Sequence, residues 1–171
     1  MAQPPDNLMD LILDRTVAII EAKLDSDGAT VFKKVGKLGF DMPGGPYPQA
    51  AVTLRGITFD YSFSADWVVL TVSLNIRVIA GPLGQGYKGQ NEDRHNEVIM
   101  ALFNAINEKP QLELPASNAA MGYSLVAGTG GTRPARMMSN LGIVGFQYGE
   151  TYFFGSDNVL EVKLQVKGRT I

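Results

Sequence analysis

His95 is the only histidine in the chain, and it stands between Arg94 and Asn96. A lone histidine beside an arginine is expected on a hydrated surface, where a charged neighbour is easily solvated. To act as a base it would need a nucleophile, and serine is the candidate left. No serine lies in a G-x-S-x-G run, the strained turn that exposes a nucleophile at the end of a strand. Cysteine is absent, which removes disulfides, thiolate nucleophiles and cysteine metal sites. One histidine without cysteine cannot assemble the usual transition-metal centres. Asp25 and Asp27 flank Ser26, but the spaced carboxylates and distal glutamate of a calcium loop are missing. The other acidic residues are scattered, and only folding could bring two of them together for acid–base work. Gly81, Gly84, Gly86 and Gly89 punctuate one loop without the order of a dinucleotide or P-loop fingerprint, since no Gly-Lys-Ser/Thr follows. The expectation is a protein without catalytic residues, metal or cofactor.

Composition narrows the partners. Fifteen basic and seventeen acidic residues leave a net charge of −2, so the broad basic excess of a nucleic-acid binder is missing. Aromatic and basic residues are not interleaved as a stacking platform for single strands requires. The longest purely apolar run is six residues, Val98 to Phe103, far short of a membrane span. The opening MAQPPDN lacks the basic and apolar regions of a secretory leader. A soluble protein made in a cytoplasm is expected. The 171 residues fit one domain, 1–171. A domain of this size buries about 70% of its unfolded surface and needs no staple.

The element around which the chain is organised runs from Trp67 to Ile79. Val68, Leu70, Val72, Leu74, Ile76 and Val78 alternate with Val69, Thr71, Ser73, Asn75 and Arg77. That period predicts a strand with one dry face, roughly 43 Å long at 3.3 Å per residue. A helix is predicted over Leu8–Leu24, with Asp6 or Asn7 as cap and Asp25-Ser26-Asp27-Gly28 as its end. Val31–Val35 reads as a short strand. Ala50–Leu54 and Ile57–Phe63 read as two more, separated by a break or bulge at Arg55-Gly56. With the long strand they would form a meander, joined to it by a short turn at Ser64-Ala65-Asp66. A second helix is predicted over Asn91–Glu108, with Val98, Ile99, Leu102, Phe103 and Ile106 as its apolar stripe and Pro110 as its stop. Ile143–Phe154 and Leu160–Lys167 alternate as a final hairpin around Gly155-Ser156-Asp157-Asn158, a run of turn-forming residues. Its register is open: Glu150 stands opposite Lys163, or a bulge brings Tyr152 and Phe154 beside Val162 and Leu160. The fold class is therefore α+β, a mostly antiparallel sheet (meander plus C-terminal hairpin) packed by two helices.

Long loops are expected at 36–49, 80–90 and 110–140. The last contains GTGGTRPARMM, which joins backbone freedom to Arg133, Arg136, Met137 and Met138. Arginine and methionine are enriched at protein interfaces. Those four residues, with Tyr87 and Lys88 of the preceding long loop, are the candidate contact residues. A solvated crossing loop with its methionines tucked into the core is the other reading. Long sheets, long arms and no chemistry suggest an assembly subunit, because strand edges and arms can dock on neighbours.

The order of these elements, from the helix Leu8–Leu24 through Pro48-Gln49-Ala50-Ala51-Val52 and the long strand to the final hairpin, resembles a family. It is similar to the tail terminator, or tail-completion, proteins of long-tailed bacteriophages, including the minor tail protein U group. The resemblance covers nearly the whole chain and rests on layout and size, without a signature motif. It implies a homo-oligomeric ring, commonly a hexamer, at the head-proximal end of the tail tube. It implies the major tail tube protein and a head-completion or neck protein as partners, and a place in the tail of the virion after synthesis in the host cytoplasm. DNA would pass through the ring unread, which suits a near-neutral chain. The family supplies no catalytic residues. The alternatives are another phage tube or head–tail connector protein, which also stacks as rings, and a small-ligand-binding or enzymatic α+β domain with a sealed pocket between sheet and helices.

Overall fold

The computed structural model describes residues 7–37, 45–61, 66–82, 88–114, 117–118, 123–125 and 134–167. Along the chain these form α1 (Leu8–Glu21), β1 (Lys34–Gly36), β2 (Gln49–Asp60), β3 (Trp67–Pro82), α2 (Lys88–Glu108), β4 (Ser117–Asn118), β5 (Tyr123–Leu125), β6 (Ala135–Tyr148) and β7 (Thr151–Lys167). The strands make one sheet in the order β1-β2-β3-β7-β5-β4, with β6 paired to β7 beside β5. All described pairings are antiparallel except β1 with β2. The α+β class and the two-helix layer are as the sequence pattern implies.

β3 and β7 are the spine. Val68, Leu70, Val72 and Leu74 stand opposite Val166, Leu164, Val162 and Leu160, and all eight are buried. Residues paired across an antiparallel ladder share a face, so these aliphatics form one dry floor. Ile12, Ile19 and Ile20 of α1 and Val98, Leu102, Ala105 and Ile106 of α2 close over it in a single core. Each aliphatic side chain moved out of water there contributes about 1.5–3 kcal/mol. The opposite face of the β3–β7 seam carries Thr71, Ser73, Asn75 and Arg77 beside Lys163, Glu161 and Asp157.

Several boundaries differ from the sequence reading. α1 ends at Glu21, before Leu24. Leu24 instead bridges to Thr30 in a small loop, where the Asp25 carboxylate accepts the Asp27 and Ala29 N–H groups at 2.9 Å each. Gly28 there has φ +79°, which suits a residue without Cβ. β2 is one strand, not two: Arg55-Gly56 is a bulge within it, and pairing with β3 continues on both sides. α2 begins at Lys88, a turn earlier than expected, and Phe103 of its expected apolar stripe is 44% exposed. Residues 135–140, expected within a loop, belong to β6.

The largest correction concerns the C-terminal hairpin. Its turn is Gly149-Glu150, between the paired Tyr148 and Thr151. Gly149 has φ +61°, and glycine in the first central position is what a two-residue II′ hairpin turn asks for. Gly155-Ser156-Asp157-Asn158 is continuous strand, paired to β3 on one side and β6 on the other. Both open registers fall with it: Lys163 lies opposite Thr71, while Tyr152 and Phe154 lie opposite Gln147 and Gly145.

Candidate functional site

Ser156 and Asn158 are polar residues on the dry face of β7, where the aliphatic rule breaks. They are 0% and 1% exposed. Buried polar groups of this kind require partners, and the partners come from three other elements. Asn158 Nδ2 donates to the Ile76 carbonyl of β3 at 3.1 Å and to Ser156 Oγ at 3.2 Å. Asn140 of β6 donates from Nδ2 to Asn158 Oδ1 at 2.7 Å and to Ser156 Oγ at 3.4 Å. The Gly142 N–H holds Asn140 Oδ1 at 2.7 Å, which fixes the direction of that amide. His95 of α2 completes the cluster, with Nε2 2.8 Å from Ser156 Oγ.

His95 is therefore not a solvated residue. It is 2% exposed, its ring meets Phe154 edge-on at 5.8 Å, and burial pushes its pKa down while Asn96 pulls the other way. The sequence gives no sign of this, because the partner serine lies 61 residues away in a segment composed like a turn. The His95–Ser156 distance is one that a nucleophile and base would share. Both groups are sealed from solvent, and among the described residues Nδ1 has no partner at full hydrogen-bond geometry, with Asn96 the neutral neighbour that favours the charged ring. Among the described residues no carboxylate orients the ring, and the pair anchors α2 to β7.

An open cleft of about 720 Å³ lies between the 23–33 segment and α2. Val31, Val98 and Ala101 are among its lining residues, and Lys23, Lys33 and Arg94 are its cations. Each cation is engaged by the protein itself. Lys23 pairs with Glu108 at 2.8 Å, Lys33 donates to the Thr30 carbonyl, and Arg94 Nη2 donates to the Tyr47 carbonyl at 2.9 Å. The cleft therefore does not aim converging charge at an anion. Among the described residues no cluster of His, Cys, Asp and Glu is placed to hold a metal ion, and no helix is long and apolar enough to cross a membrane.

The candidate contact residues are only partly brought together. Arg136, Met137 and Met138 follow one another in β6, not in a loop. Arg136 is exposed, Met137 packs half-buried against the core, and Met138 is 48% exposed beside a bulge. Lys88 opens α2 rather than standing in a loop. Tyr87 and Arg133 lie outside the described residues.

Among the described residues, exposed apolar side chains lie on the helix side, at Leu24, Met100 and Phe103, and towards both edges of the sheet. Leu54 and Phe59 of β2 are opposite the buried Leu74 and Leu70, so they share the dry face, yet they are 43% and 56% exposed. Tyr61 follows them at 68%. At the other side of the sheet, Met138 and Leu141 of β6 and Tyr152 of β7 are 48%, 56% and 51% exposed. Neither group was singled out as a set by sequence alternation, which marks apolar faces but not how far the helices cover them. Comparison with protein-family models finds none that matches the chain, and comparison with curated proteins finds no match either.

Proposed function

We propose that this chain is a structural subunit that assembles with copies of itself into a ring, in the manner of a phage tail terminator. One observation carries the reading. The exposed apolar residues of β2 and those of the β6–β7 hairpin lie on opposite sides of β3. Two different surfaces on one subunit suit a head-to-tail contact, and such contacts close into rings when the rotation allows. The absence of an accessible chemical group at His95–Ser156 supports contact over catalysis as the role. In this reading the ring, commonly of six copies, caps the head-proximal end of a tail tube, stops its growth and presents its other face to the neck of the capsid. The major tail tube protein and a neck protein are its partners, and DNA passes through it without being read.

Native mass measurement of the purified chain, followed by electron microscopy with purified tail tubes, tests this. A closed oligomer that decorates one tube end supports it. A chain that stays monomeric with tubes present and never marks a tube end overturns it. Unlimited cylinders would point to a tube protein instead.

A further inference from the structure

The hydrogen bonds around Ser156 dictate where the His95 proton resides. A hydroxyl has two acceptor lone pairs and one donor hydrogen. The Asn158 and Asn140 amides both donate to Ser156 Oγ, so its lone pairs are taken. The Ser156 hydrogen is left for His95 Nε2, which must then be the bare nitrogen. The proton is on Nδ1, which is buried and, among the described residues, lacks a partner at full hydrogen-bond geometry, although Asn96 favours the charged ring. A second proton, taken from solvent, would have to land on Nε2. It would put two hydrogens between His95 and Ser156, so either this bond or an asparagine bond breaks.

No described carboxylate stands by to compensate the new charge. On α2 itself Asp93, Arg94 and Glu97 are exposed. On β7 the only charged neighbour is Asp157, which points to the opposite sheet face and is held by Arg77 of β3. β6 offers Asn140, with Arg136 exposed further along. Described residues 45–49 carry no charged side chain: burial pushes the Tyr47 pKa up, and Gln49 is uncharged. An imidazolium buried among these groups is costly.

We propose that His95 is an acid-released latch: proton uptake by its imidazole places an uncompensated charge in the sealed site beside Ser156, and freeing the N-terminal half of α2 from β7 relieves it. The latch follows from the burial of the ring and the hydrogen bonds around Ser156, and is independent of the assembly reading. Its direction is set by linkage. The ring gains a proton more readily when α2 is lifted, so opening becomes easier as the pH falls below the ordinary histidine range. Between that range and the folded-state midpoint, one proton of difference changes the opening equilibrium by up to about tenfold per pH unit.

A chain with one histidine makes the test direct. Proton NMR of the His95 ring and amide-exchange protection factors along α2 are followed against pH in the full chain. The ring is expected to titrate below the ordinary histidine value. Protection of α2 residues near His95 is expected to fall by up to about tenfold per pH unit in that window, while the amides of β3 hold. His95→Gln, which keeps a polar side chain but cannot titrate, is expected to show no such fall. An ordinary ring titration with α2 protection unchanged overturns the latch, and so does an equal fall in His95→Gln. Where that variant does not fold, the ring titration and the α2 protection of the native chain decide the matter alone.

Discussion

Arg77 and Asp157 face each other across the β3–β7 seam in a two-pronged ion pair, Nε to Oδ1 at 2.9 Å and Nη2 to Oδ2 at 3.0 Å. Asn75 Nδ2 adds a third bond to Oδ1 at 3.1 Å. These bonds tie the middle of a turn-like segment to the central strand and oppose a slip in register, which would turn every side chain of β7 to the wrong face. A double-mutant cycle with Arg77→Ala and Asp157→Ala, read by urea unfolding, is expected to give a coupling of about 0.5–1 kcal/mol, since the pair is partly solvated.

The same pair predicts a pH dependence. The Arg77 hydrogen bonds hold the Asp157 carboxyl below its ordinary value, against the opposing effect of burial. A carboxyl lowered on folding binds fewer protons in the native state than in the unfolded one. Its stabilisation is therefore fully present above the ordinary aspartate range and is lost as pH falls through the folded value. Acid unfolding of Asp157→Asn is expected to lack that component, seen as a flatter stability curve below about pH 4.

Removing Asn158 is expected to cost more than removing the ion pair. Asn158→Ala deletes the donors to the buried Ile76 carbonyl and Ser156 hydroxyl, and the acceptor of the partly exposed Asn140 amide. A loss of about 1–3 kcal/mol is expected by chemical denaturation, because buried groups left unpaired keep their desolvation cost.

Gly149 is the hinge of the β6–β7 turn at φ +61°. A Cβ there meets no neighbour, so the penalty of Gly149→Ala is conformational rather than steric crowding. About 1 kcal/mol is expected in thermal unfolding. A stabilising result would mean that the turn readily takes another shape.

Phe59→Ser and Tyr152→Ser test the two assembly surfaces. Both side chains are more than half exposed, so the isolated fold is expected to change by less than about 0.5 kcal/mol. Each single variant is expected to shift native mass spectra from the oligomer towards the monomer. If both variants keep the parent's oligomeric state, these surfaces are not the contact.

How much of this was legible in the residues depends on where each residue's partner lies. β3 could be read because alternation is local and its dry face is unbroken. The bulge of β2 was marked by Arg55-Gly56. The strand through Gly155-Ser156-Asp157-Asn158 was not legible, because turn composition is the correct inference unless distant groups satisfy those polar atoms. Here His95, Asn140, Ile76 and Arg77 do so, none of them near in sequence. The burial of His95 was hidden for the same reason. Arg136 and Met138 were expected in a loop, and their place in a strand depended on pairing with β7.

The outer strand β6 breaks step with β7 twice, between Met137 and Ser139 and between Asn140 and Ile143. A foreign strand laid along that border would find no unbroken row of amides and carbonyls to copy. In the proposed assembly, neighbours would be recognised at this border by side chains such as Met138 and Leu141, at a fixed angle, rather than by backbone stitching that repeats without end. Irregularity at the rim thus guards a sheet with such long strands against fibre formation.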